Sequence, residues 1–203
     1  MSNNDRIGVG TERNLDIAVQ EMIAKPDDPR SYWLAANAST MAGKKEEAKN
    51  LYLEFIQLSH SKEEQYLAWS FLADIYADFG MYEQAVKCVH EMLQIHVEYP
   101  QTWHKYADVM FKQGKYRHAV EFTKTGLEKK LNEKNVIVHN PLDFTYNPWI
   151  LLAKASVELY DDETALKYFK KCYEMRPLKS IEVIISGLEK GLLPKIVEKN
   201  TDL

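Results

Sequence analysis

The sequence predicts an all-α chain built from stacked helical hairpins, and three observations carry that reading. Five landmark pairs recur at one spacing of 34 residues: Trp69 and Trp103, Ala73 and Ala107, Gly80 and Gly114, Tyr82 and Tyr116, Ala85 and Ala119. Between the landmarks, apolar residues fall at i, i+3, i+4 and i+7, as in Trp69, Leu72, Ala73 and Tyr76, which is one face of a helix. A glycine then separates each such face from the next, where a chain must turn. A fixed period of this length marks a repeat architecture. Stacked repeats of that kind form a solenoid with an extended binding surface.

The elements follow in order. Residues 1–12 read as a flexible N-terminus, with Gly8 and Gly10 in the lead-in. Leu15, Ala18, Val19, Met22 and Ile23 predict a capping helix over 13–25, stopped by Pro26. The first repeat, about 29–60, has Tyr32, Ala35 and Ala36 on its first helix, a turn at Gly43, and Ala48, Tyr52, Phe55 and Ile56 on its second. Extra residues before the second repeat fall in the SHSKEE stretch, where His60 and Ser61 suit a helix start. The second repeat, 66–99, turns at Gly80 and continues through Tyr82, Ala85, Val86, Val89 and Leu93. Its small Ala73 and Ala85 allow two helix backbones to approach closely.

The third repeat, 100–130, repeats the pattern with Trp103, Tyr106, Ala107, Met110, Gly114, Tyr116, Ala119 and Val120. An insert over 131–145 carries Pro141, and Pro148 follows it, which forbids one continuous helix through this stretch. Its Val, Ile, Leu, Phe and Tyr content predicts an ordered, extended segment. The fourth repeat, 146–177, has Trp149, Leu152, Ala153, Ala165 and Phe169. Tyr160 stands there in place of the glycine, so the expected turn has a different geometry. Ile181, Ile184, Ile185 and Leu188 predict a C-terminal cap over 178–199.

Bulk properties narrow the function. The net charge is -4, from 26 basic and 30 acidic residues, which speaks against a general nucleic-acid binder. No apolar run approaches the ~20 residues of a membrane span. The N-terminal stretch lacks a signal peptide's apolar core, and a cytoplasmic protein is expected. Cys88 and Cys172 read as free, buried thiols.

No catalytic constellation emerges. Cys88 and His90 are two apart and diverge on a helix. His96, His104 and His118 fall on different helices, and no Cys/His spacing matches a zinc site. His139 reads as a loop-orienting residue. Asp27–Asp28 and Asp161–Asp162 fit helix starts, where acids stabilise the positive end of the dipole. No phosphate-cradling loop or nucleophile motif occurs. The expectation is no metal, no cofactor and no catalysis by this chain alone. The recurring Trp and Tyr positions read as core.

The pattern Trp69, Leu72, Ala73, Tyr76, Gly80, Tyr82, Ala85 resembles the tetratricopeptide repeat (TPR) over roughly 29–177. The resemblance implies a right-handed superhelical solenoid of about four hairpins with a concave groove. The segment from Arg13 to Ala48, with its Pro26–Arg30 linker, is also similar to the TPR region that follows the catalytic domain of family 2 glycosyltransferases. The catalytic domain of those enzymes has no counterpart here, so no activity transfers to a residue.

In this repeat class, first helices line the groove. The positions so implied are Trp33, Asn37 and Thr40; Ser70, Asp74 and Ala77; His104, Asp108 and Phe111; and Ile150, Lys154 and Val157. Trp33, Asn37, Ser70, Asp74, His104, Asp108, Phe111 and Lys154 are the candidate partner-binding residues. Asp74 and Asp108 would favour a partner protein or peptide with a basic segment. Some TPR domains grip a C-terminal carboxylate with clustered Lys, Arg and Asn. Only Asn37 fits that set here, and Trp33 takes the place of its basic neighbour. The reading is a non-catalytic protein-interaction scaffold. Two alternatives stay open: an accessory region of a glycosyltransferase, for acceptor binding or dimerisation, and a self-assembling module that forms a homo-oligomer.

Overall fold

The computed structural model describes residues 3–130 and 142–192, the side chains of 3–9 and 143 excepted. Within those residues every regular element is a helix. The chain falls into two compact units, Met1–Ile95 and His96–Leu203. The predicted insert lies outside the described residues over 131–141, with His139 and Pro141, as does the end of the predicted C-terminal cap over 193–199.

The first unit holds α1 (Asn3–Ala24), α2 (Pro29–Met41), α3 (Lys45–Leu58), α4 (Lys62–Asp78) and α5 (Tyr82–Ile95). Helix α1 starts at Asn3, ten residues before the expected start at 13. Asp28 caps α2 by accepting from the Arg30 amide, and Pro29 supplies a first helical position that needs no N–H. Ser61 caps α4 through the Glu64 amide at 3.3 Å. Helices α2 and α3 form one hairpin and α4 and α5 the next. Ala35, Ala36, Ala48 and Tyr52 in the first hairpin, and Leu72, Ala73, Ala85 and Val89 in the second, are fully buried.

The second unit holds α6 (Pro100–Lys112), α7 (Tyr116–Glu128), α8 (Leu142–Thr145), α9 (Asn147–Glu158), α10 (Asp162–Met175) and α11 (Lys179–Glu189). Helices α6 and α7 form a hairpin, as do α9 and α10, and α7 packs on α9. The short α8 is a turn of helix inside the predicted insert, resting on α6 and α9. Helix α11 is the last helix among the described residues. Its Ile181, Ile184 and Leu188 cluster with Ala153, Ala165 and Phe169.

Two expectations about side chains and turns are corrected. Trp69 and Trp103 are half-buried, not enclosed. The Trp103 indole N–H donates to the Val97 carbonyl at 2.8 Å, so the ring lies along the hairpin with its polar edge satisfied. The turn at Tyr160 keeps the geometry of the glycine turns. Tyr160 has φ 58°, beside 74° at Gly43, 72° at Gly80 and 77° at Gly114. The hydrogen bonds match as well. Gly80 N–H reaches Ala77 O and Met81 N–H reaches Tyr76 O; Tyr160 N–H reaches Val157 O and Asp161 N–H reaches Ser156 O. The stack needs the same exit angle after every first helix, and the backbone supplies it whether or not the residue is glycine.

Candidate functional site

The first-helix positions behave differently in the two units. In the first unit Trp33 is half-buried, with its ring 5.7 Å from that of Tyr52, 5.2 Å from Phe55 and 5.8 Å from Phe71. Tyr52 and Phe71 are stacked at 5.2 Å and 3°. Trp33 therefore serves the packing of this aromatic cluster, and only part of it faces outward.

Asn37 sits one turn further along α2. Its Oδ1 accepts from the Tyr52 hydroxyl at 2.8 Å. Thr40, another expected groove residue, lies 3.3 Å from the same hydroxyl and donates to the Ala36 carbonyl. Burial pushes the Tyr52 hydroxyl up to about 12, and the negative charge of Asp74 adds to the shift. Asp74 on α4 thus lies close enough to Tyr52 to act on it. Ser70 stands one turn before Asp74 and is half-buried. Asn37 bonds Tyr52 and Asp74 acts on it, while Ala77 is buried at 4% exposure and lines nothing open.

In the second unit His104 is buried, against the expectation of an open groove position. Its ring packs on Gly126 of α7 so closely that a Cβ there would come within 2.4 Å of His104 Cδ2. His104 is a packing residue between α6 and α7. Val157 is likewise buried in the cluster under α11. Burial lowers the Lys154 ammonium, and the charge of Asp108 nearby partly restores it. Phe111 is half-buried and makes an edge contact with Tyr116 at 5.3 Å.

A cavity of about 350 Å³, which the sequence pattern does not announce, lies along α1 and α2. Leu34, Asn37, Ala38 and Met41 form its wall on α2, and Asn14, Ile17 and Glu21 belong to the wall on α1. A signal exists, since 34, 37, 38 and 41 follow helical spacing. The landmark residues of the period mask it, because they draw the apolar face of α2 elsewhere. Among the described residues no group of three or more His, Cys, Asp or Glu could hold a metal ion. No helix among them is long and apolar enough to cross a membrane.

Residues 146–177 match the family model described as Tetratricopeptide repeat. The chain carries a tetratricopeptide repeat. The matched TPR is the fourth hairpin, the one whose turn residue is Tyr160. Solved structures share the fold. The crystal structure of TTC0263, a thermophilic TPR protein in Thermus thermophilus, aligns with TM-score 0.66 and 15% identity over 91% of this chain and 96% of that one. The APC/C hetero-tetramer Cut9-Hcn1 aligns with TM-score 0.68 and 14% identity over 90% of this chain. There the chain spans 34% of its counterpart's length. YrrB, described as a TPR protein with an unusual peptide-binding site, aligns with TM-score 0.60 and 11% identity over 87% of this chain and 84% of that one. At these identities the likeness is one of fold, that of a TPR solenoid. No curated protein sequence matches this chain.

Proposed function

We propose that the chain is a non-catalytic protein-interaction scaffold that holds an extended segment of a partner protein against the first helices of its hairpins. The observation that carries the proposal is the 2.8 Å bond from the Tyr52 hydroxyl to Asn37 Oδ1. It anchors the Asn37 side chain by its oxygen and leaves the amide N–H₂ as the donor end. An immobilised amide of that kind suits the backbone carbonyl of a bound strand at low entropic cost. Asp74, close to the same tyrosine, supplies the negative charge that favours a basic residue on the partner.

Likeness of fold to YrrB supports peptide binding as a use of this architecture. A role as an accessory region of a glycosyltransferase draws no support from the comparisons and adds nothing to the geometry.

The test is photo-crosslinking from Ser70 in source-cell extract, followed by affinity measurement on the segment recovered. Asp74→Lys should weaken that segment by roughly tenfold or more, a change equal to about 1.4 kcal/mol. Raising salt should weaken the wild-type complex in the same direction. Binding untouched by both Asp74→Lys and Asn37→Ala would dispose of the proposal.

A further inference from the structure

Each hairpin has an orderly set of neighbours. A first helix lies along its own second helix, as α2 does on α3 and α4 on α5, and that second helix then packs on the next first helix, as α3 does on α4. Helix α1 packs on α2 in the way α3 packs on α4. It holds the position of a second helix, and among the described residues no first helix stands beside it. The cavity along α1 and α2 lies where the pattern of the next hairpin seats a first helix.

The next hairpin shows how such a seat looks when filled. Gly43 and Gly80 are 37 residues apart, and the same offset carries Leu34 to Phe71 and Ala38 to Ile75. Phe71 is covered by Trp33 of the preceding first helix, ring to ring at 5.8 Å, and by Tyr52. Ile75 is buried at 4% exposure. On α2 the equivalent positions are open. Leu34 remains 38% exposed, and beside it Met41 is 75% and Ile17 56% exposed. These are large aliphatic side chains along two neighbouring helices, an arrangement that marks an interaction surface when contiguous.

We infer that this groove is a docking site for one amphipathic helix of a partner protein, seated against α1 and α2 as a first helix is seated on the next hairpin. The inference rests on the reading of the chain as an interaction scaffold but uses a surface that shares only Asn37 with the one proposed above. Both walls run at helical spacing, so the occupant is a helix with aliphatic anchors at i, i+3, i+4 and i+7. The charged residue of the lining is Glu21, whose exposed ion pair with Lys25 spans 3.0 Å. Such a pair is weak and exchangeable. The docked helix therefore carries a Lys or Arg at the edge of its aliphatic ridge, opposite Glu21. Asn14 and Asn37 at the rim can bond polar side chains on its flank.

The probe is a stapled, fluorescent helix of about 15 residues, long enough for a stable helical face once constrained. It carries Leu at i, i+3, i+4 and i+7 among Ala and Lys. A control of the same composition spreads the Leu residues around the helix. Anisotropy titration on the full chain should show binding of the probe and not of the control. Methyl resonances of Ile17, Leu34 and Met41 should shift. Ile17→Glu with Met41→Glu, both at exposed positions, should weaken binding roughly tenfold or more while circular dichroism is unchanged. Glu21→Lys should weaken the Lys-bearing probe severalfold. Asp74→Lys should leave the probe unaffected, which separates this surface from the binding attributed to Asp74. Failure of the probe to bind, equal binding of the control, or binding unchanged in the double variant would overturn the inference. Dimerisation of the chain that the double variant abolishes, without probe binding, would also overturn it, by making a second copy the occupant.

Discussion

Replacing Tyr160 with glycine should stabilise the second unit. Tyr160 holds φ 58° at the turn between α9 and α10. A side-chain-bearing residue in the left-handed region costs roughly 1–2 kcal/mol, because Cβ crowds the following carbonyl oxygen. Little is lost with the side chain, which is 82% exposed. Against the gain stands the extra backbone freedom glycine has when unfolded, about 0.5–1 kcal/mol. The balance is a net gain of about 0.5–1 kcal/mol for Tyr160→Gly. The mirror experiment is Gly80→Ala. An added Cβ at Gly80 meets nothing within 4 Å, so the cost there is conformational alone, about 1 kcal/mol. Urea unfolding of the full chain reads both, with the m-value checked because repeat stacks need not unfold in one step. A shift of about 2–4 °C in Tm per kcal/mol gives an independent reading. If Tyr160→Gly lowered the midpoint, the claim that the fourth turn shares the glycine geometry would be refuted.

Three further outcomes follow. Gly126→Ala should destabilise the chain by about 1–3 kcal/mol, since the new methyl meets the His104 ring at 2.4 Å; adding His104→Ala should recover part of the loss, and a thermal melt of both variants checks it. Tyr52→Phe should cost about 1–2 kcal/mol by removing the donor to Asn37 from a fully buried position, and it should weaken partner binding along with stability, which calorimetry and the crosslinked segment together would show. Burial pushes the thiols of Cys88 and Cys172 up to about 12 from 9.0. Groups whose folded value is raised contribute stability that is complete below pH 9 and is lost as pH rises toward 12. The Tm should therefore fall over about pH 9–11, and Cys88→Ala with Cys172→Ala should flatten that fall; an unchanged slope would refute the assignment.

What is legible in the sequence follows from which interactions are local. Helical spacing and small residues at Ala73, Ala85, Ala107 and Ala119 specify close helix pairs directly, and all four alanines are fully buried. Ser61 and Asp161 can be placed as helix starts because a cap bonds an amide three residues on, as both do. The turn at Tyr160 departs from its expected geometry for a physical reason. Glycine identity suggests itself as the cause of the turn, whereas the stacking of α10 on α9 imposes the geometry and glycine merely lowers its cost.

The site is harder to read for the same kind of reason. A repeat template assigns groove positions by number, but whether a position is open depends on what the neighbouring helix offers. Gly126 has no side chain, and the space it leaves takes the His104 ring; nothing within α6 itself announces this. Asp108 and Asp74 occupy equivalent positions and look interchangeable in sequence. They differ because α9 brings Lys154 to Asp108, while the helix beside Asp74 brings the hydroxyl of Tyr52. Lys154 stands near one acid, while the charge of the other adds to the upward shift of a tyrosine that bonds Asn37. Chains sharing these hairpins but differing at the residue that meets the first helix would present different charge from identical first-helix sequences. Exchanging Lys154 for Ala should therefore switch on a second basic-segment site at Asp108, detectable as added salt-dependent affinity for Lys-rich peptides. If no such affinity appears, the pairing is not what silences Asp108.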